Sequence, residues 1–202
     1  MISSTQLIVL EKSAYRESAL IIRGVTPDYG RSSFVCHRAQ KLSDRNFPEI
    51  DLFRELEIEF KDDSKGELFT ADRIELVTQF DALSDRPKNF VFVGRIASFL
   101  LKNLAEDLPQ PYTYDAFRSV LSQLAMPEPE WTLEECAVVF KTTYLYENGL
   151  LPESSDVRVN EFIENLVASG VENSPLPRCN PDYWHKLNLW LNRIIDYHKL
   201  RR

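Results

Sequence analysis

In the stretch Arg54-Glu55-Leu56-Glu57-Ile58-Glu59-Phe60, charged and apolar residues alternate without a break from Glu55 onward. Successive side chains of an extended strand point to opposite faces, so this spacing predicts a β-strand. Leu56, Ile58 and Phe60 belong to its inner face, and Glu55, Glu57 and Glu59 to a solvated acidic one. A helix would scatter both sets around its circumference. The next residues, Lys61-Asp62-Asp63-Ser64-Lys65-Gly66, are polar and glycine-containing and read as a hairpin loop. Residues 67–76 then return as a strand whose last residues tend to helix.

Upstream, residues 6–10, 19–26 and 31–38 are short β-rich runs. The second and third are separated by Thr26-Pro27-Asp28-Tyr29-Gly30, in which proline sets φ and glycine supplies φ > 0. Five short strands in this order suit an OB-type barrel; an SH3-like barrel has a similar pattern. Beyond residue 83 the apolar period changes from two to 3.6. The expected fold is α+β in two domains, a five-stranded OB-type β-barrel over residues 1–82 and an all-α helical domain over residues 83–202.

Within the second domain, prolines 87, 109, 111, 127, 129 and 152 delimit the helices. Residues 90–105 are strongly apolar and predict the central helix, and residues 114–124 a shorter amphipathic one. Thr132-Leu133-Glu134-Glu135 is a capping box, and the helix it starts should end at Asn148-Gly149. Residues 156–169 form another, stopped by Gly170. The last begins with Asn180 as N-cap and Pro181 at its first position, and buries Trp184, Leu187, Leu191, Ile194 and Ile195.

Several function classes are disfavoured. No run reaches the roughly 18 to 20 apolar residues of a membrane span, and the N-terminus lacks a signal-peptide pattern, so a cytoplasmic location is expected. Three dispersed cysteines, Cys36, Cys136 and Cys179, suggest neither a disulfide framework nor a metal site, and the histidines lack ligand spacing. No cofactor or metal is expected. Phosphate-loop, dinucleotide, nucleophile-elbow and zinc-protease motifs are all missing, so the chain does not read as an enzyme.

The net charge of −7 has the wrong sign for a nucleic-acid binder, but its distribution is uneven. Residues 1–47 hold seven basic and four acidic residues, +3, which leaves 17 basic and 27 acidic residues, −10, for the remainder. The basic residues are Lys12, Arg16, Arg23, Arg31, Arg38, Lys41 and Arg45. An OB barrel binds single strands with a cationic groove and exposed aromatic rings. Arg16, Arg23, Arg31, His37, Arg38, Lys41 and Arg45, with Tyr15, Tyr29 and Phe34 as stacking faces, are therefore the candidate nucleic-acid residues.

The quoted turn also carries a resemblance. Ile8-Val9-Leu10, Tyr15-Arg16-Glu17-Ser18 with its apolar continuation, and Thr26-Pro27-Asp28-Tyr29-Gly30-Arg31 resemble the opening of the RecO family. Glu67-Leu68-Phe69-Thr70 with Ile74-Glu75-Leu76 after it, the segment Phe140 to Pro152 and the closing Asp196-Tyr197-His198 are similar to later family segments. Two features depart from the family: the four-cysteine zinc hairpin of many relatives is absent after Pro152, and the basic segment Cys36-His37-Arg38-Ala39-Gln40-Lys41 is thin.

The resemblance implies a nucleoid-associated recombination mediator in DNA repair. Such a protein binds single-stranded and double-stranded DNA, anneals strands and, with RecR, loads the recombinase. The implied partners are DNA, a RecR-like protein and single-stranded-DNA-binding protein, the last through a basic pocket for which Arg95, Lys102, Arg118 and Lys141 are candidates. The competing expectation is a protein-binding adapter of the same fold with little DNA affinity.

Overall fold

The computed structural model describes residues 2–37, 39, 50–61 and 68–201. They form two compact units, residues 1–111 and 112–202.

The first unit is built on strands β1 (Ile2–Tyr15), β2 (Ala19–Thr26), β3 (Gly30–Cys36), β4 (Glu55–Lys61) and β5 (Phe69–Thr78). They close into a barrel in the order β1-β2-β3-β5-β4, with β4 returning to β1. All pairings are antiparallel except β3 with β5, which run parallel at Phe34–Phe69 and Val35–Thr70. This order, with one parallel closure, is that of an OB barrel and decides between the two barrels that the sequence pattern suits.

β1 is far longer than the expected residues 6–10 because it serves two partners. Ile2 to Ile8 pair with β4, and Ile8 to Tyr15 with β2. The register shifts between Val9 and Glu11, so Leu10 is a bulge that bends the strand from one partner to the other. β5 remains a strand to Thr78 and has no helical tail.

Leu56, Ile58 and Phe60 enter the barrel core as expected, with Leu7, Val9, Ile22, Phe34, Phe69 and Ile74. Phe34, Phe60 and Phe69 meet with ring centroids 4.8 to 5.6 Å apart. The acidic face needs correction: Glu57 is exposed, but Glu55 is 1 % exposed. Glu55 opens β4 opposite Ile8, where β1 bends, so alternation alone does not bring it to solvent.

A 3-10 turn at Asp81–Leu83 leads into α1 (Pro87–Asn103). Buried Arg54 fixes this exit with bonds of 2.6 and 3.2 Å to the Asp81 carboxylate. α1 is the strongly apolar helix expected at the centre of the helical domain, and it packs instead on β1 and β2 as part of the first unit. Phe90 meets Phe53 at 5.4 Å.

The second unit contains α2 (Pro111–Ala125, from its second residue on), α3 (Leu133–Glu147), α4 (Val157–Val171) and α5 (Pro181–Tyr197). Its central helix is α3, buried on nearly every side from Cys136 to Leu145 and contacting both α4 and α5. The capping box is present: the Glu135 amide donates to Thr132 Oγ1 at 3.2 Å, and the Thr132 amide to Glu135 Oε2 at 2.7 Å. Gly149, at φ +64, ends the helix.

Asn180 caps α5, with its Oδ1 accepting from the Tyr183 amide at 2.8 Å. Trp184, Leu191 and Ile195 are buried on α5, whereas Leu187 and Ile194 are half-buried at the edges of its stripe. Gly170 does not stop α4. It lies inside the helix, where an added Cβ would stand 2.9 Å from Val139 and 3.2 Å from Ala116, so it permits close helix approach.

Candidate nucleic-acid interface

Register and alternation assemble one outward face from three strands. Glu11 lies opposite Arg23, Ser13 opposite Ile21 and Tyr15 opposite Ala19. Arg23 in turn lies opposite Ser33, Ile21 opposite Val35 and Val25 opposite Arg31. Side chains two apart share a face, so Arg31, Arg23, Ile21 and Tyr15 lie on one surface of β1, β2 and β3. This is the strand 2–3 face that OB barrels use for oligonucleotides. A groove of about 430 Å³ runs over it, lined by Glu11, Ile21, Arg23, Arg31 and Ser33, with Leu68, Leu101 and Glu106 at its edges.

The turn that feeds this face is set by its own side chains. Thr26 Oγ1 accepts from the Tyr29 amide at 3.0 Å and donates to the Gly30 carbonyl at 3.2 Å. Gly30 has φ +63, and a Cβ there would stand 2.5 Å from the Leu108 carbonyl oxygen and 2.6 Å from that of Ala105. Only glycine meets both demands. The connection after α1 therefore lies directly on the turn, with the Arg31 amide donating to the Ala105 carbonyl at 3.0 Å and the Gln110 amide to that of Pro27 at 2.9 Å.

The groove arginines are engaged within the unit. Arg23 Nη1 is 3.2 Å from Glu11 Oε2. Arg31 Nη2 is 2.7 Å from Glu106 Oε1, and its Nη1 donates to the Leu101 carbonyl at 2.8 Å. The family-like Thr26 to Arg31 segment thus docks the end of α1 as well as lining the groove.

The remaining candidates divide. Tyr15 is half-exposed, and the exposed Arg16 places its guanidinium carbon 5.0 Å from the Tyr15 ring centre. His37 is exposed and directly follows Cys36, which pairs with Leu20, so it lies at the same end of the sheet as Tyr15. Phe34 is fully buried in the barrel core, which overturns its stacking assignment, and half-buried Tyr29 packs against that core, edge-on to Phe60 at 5.6 Å. Aromatic residues in a small barrel are its chief core filling, and composition does not distinguish them from surface rings. Arg38, Lys41 and Arg45 lie outside the described residues.

Sequence reasoning missed Glu11, Leu101 and Glu106 as parts of this site. Glu11 is detectable once the β1–β2 register is known. Glu106 comes from 75 residues beyond Arg31, and no local signal marks it.

Arg95 and Lys102, two of the four residues expected to form a protein-binding pocket, belong to the first unit, and Arg118 and Lys141 to the second. Lys141 donates to Asn188 Oδ1 at 2.6 Å and Asn192 Oδ1 at 2.8 Å, which ties α3 to α5. Among the described residues, no His, Cys, Asp and Glu cluster has the arrangement to hold a metal ion, and no helix is long and apolar enough to cross a membrane.

Residues 1–80 match the family model described as recombination protein O N terminal. The N-terminal barrel is a RecO-family domain. The match ends two residues past β5, so it covers the whole RecO barrel, with α1 and the groove edge at Leu101 and Glu106 following it. No curated protein matched the chain by sequence. The RecO match of this domain agrees with the closed β1-β2-β3-β5-β4 order of its strands.

Proposed function

We propose that this RecO-type protein is a non-enzymatic recombination mediator that binds single-stranded DNA on the outward face of β1, β2 and β3. The observation that carries this reading is the gathering of Arg31, Arg23 and Tyr15 on one face, with Arg16 and His37 at its end. Cations along a groove follow a phosphate backbone, and a partly exposed ring provides a stacking platform, at about 1 to 3 kcal/mol per base. Annealing follows when strand charge is screened and the bases stay accessible, with no covalent bond broken. Recombinase loading, a RecR-like partner and single-stranded-DNA-binding protein belong to the same reading.

A second reading, a protein-binding adapter with little DNA affinity, is favoured by the carboxylates already paired with Arg23 and Arg31. Fluorescence anisotropy with a labelled oligothymidylate at increasing salt separates the two. The mediator reading expects binding whose log affinity falls with log salt by about 0.7 per phosphate contact. It also expects Arg16→Glu, Arg23→Glu and Arg38→Glu, combined, to abolish binding. Absence of binding at low salt refutes it and leaves the adapter.

A further inference from the structure

We propose that Glu11 and Glu106 are built-in competitors for the phosphate backbone, so that the groove is self-neutralised until DNA displaces them. This rests on the DNA-binding reading above. Among the described residues, four charged side chains line the groove, and they form two matched pairs, Arg23 with Glu11 and Arg31 with Glu106. A carboxylate on an arginine occupies the same hydrogen-bonding edge that a phosphate oxygen would take.

The two pairs differ in a way that suits exchange. Arg23 and Glu11 retain 48 and 44 % of their side-chain exposure, and such water-exposed pairs are weak and readily exchanged. Arg31 and Glu106 are less exposed, at 34 and 27 %. There Nη1 donates separately to the Leu101 carbonyl at 2.8 Å, so the guanidinium keeps an anchor when Glu106 leaves. A phosphate then meets a donor already oriented, which lowers the ordering cost of binding. The carboxylates also disfavour weakly charged or neutral ligands that cannot replace them.

The test compares oligothymidylate binding by the wild type, Glu11→Gln, Glu106→Gln and the double variant. Glu57→Gln is the control, because Glu57 is exposed on β4, outside the groove, and the substitution changes net charge equally. Each groove substitution is expected to add about one phosphate contact. That tightens binding about fivefold near 0.1 M salt and steepens the log–log slope by about 0.7, with Glu57→Gln close to wild type. Glu106→Ala covers the case in which the amide oxygen of glutamine keeps Arg31 engaged, and a thermal melt checks that each variant is folded. A wild type that binds, with groove variants of unchanged affinity and slope or a Glu57→Gln variant that tightens as much, overturns the competition and leaves DNA binding standing. Failure of every protein to bind at low salt overturns both.

Discussion

Replacing Gly30 with alanine tests how the barrel and the connection after α1 are joined. The backbone at Gly30 sits at φ +63, and a left-handed conformation costs an L-residue about 1 to 2 kcal/mol. The added methyl would also stand 2.5 and 2.6 Å from the carbonyl oxygens of Leu108 and Ala105, distances at which the backbone must move. Overpacking of this kind costs about 1 to 3 kcal/mol. The Arg31 amide bond to Ala105 lies in the path of that movement.

The combined loss is about 3 kcal/mol, which for a unit of this size lowers the melting temperature by on the order of 15 °C. Gly94→Ala provides the contrast in the same unit: it lies in the middle of α1, and a methyl added there would meet nothing within 4 Å. Removing a helical glycine stabilises by about 0.5 to 1 kcal/mol. Thermal unfolding followed by far-ultraviolet circular dichroism should therefore move in opposite directions for the two variants. Gly30→Ala melting with the wild type would refute both the tight docking and the conformational argument.

Thr132→Ala removes the acceptor for the Glu135 amide and should destabilise by about 1 kcal/mol in chemical denaturation, while Leu133→Ala tests a half-buried neighbour outside the cap. Gly170→Leu should cost more than about 1 kcal/mol by overpacking against Val139, Thr143 and Ala116; a neutral result in the same titration would mean that α4 is not closely seated. Burial pushes the Cys36 and Cys136 thiols up to about 12, so both stay protonated at pH 8. Half-buried Cys179 is also raised but remains reachable, so a disulfide reagent should titrate one thiol in the native protein and three after denaturation. Rapid native reaction of more than one thiol contradicts the buried placement.

Local spacing was enough for the inner face of β4 and for the caps of α3 and α5. The alternation of residues 55–60 places Leu56, Ile58 and Phe60 inside whatever surrounds them, because a pleated strand has only two faces. The Thr132–Glu135 box and the Asn180-Pro181 cap satisfy backbone amides within one helical turn, so their partners are present in the sequence itself. The Thr26 to Gly30 turn was legible for the same reason.

Tertiary structure decided what required distant partners. Apolar α1 reads as a core helix in either unit, and only the barrel surface on β1 and β2 determines where it goes. Gly170 reads as a stop until α2 and α3 stand against it. Phe34 has the composition of a stacking ring but fills the barrel interior, since burial depends on which face closure turns inward. Arg31 reads as a free cation, and it is the fold that brings Glu106 to it across 75 positions of chain. Sequence determines interactions that span a few residues; which charges remain open to a ligand depends on long-range closure, because a pair needs only proximity in space.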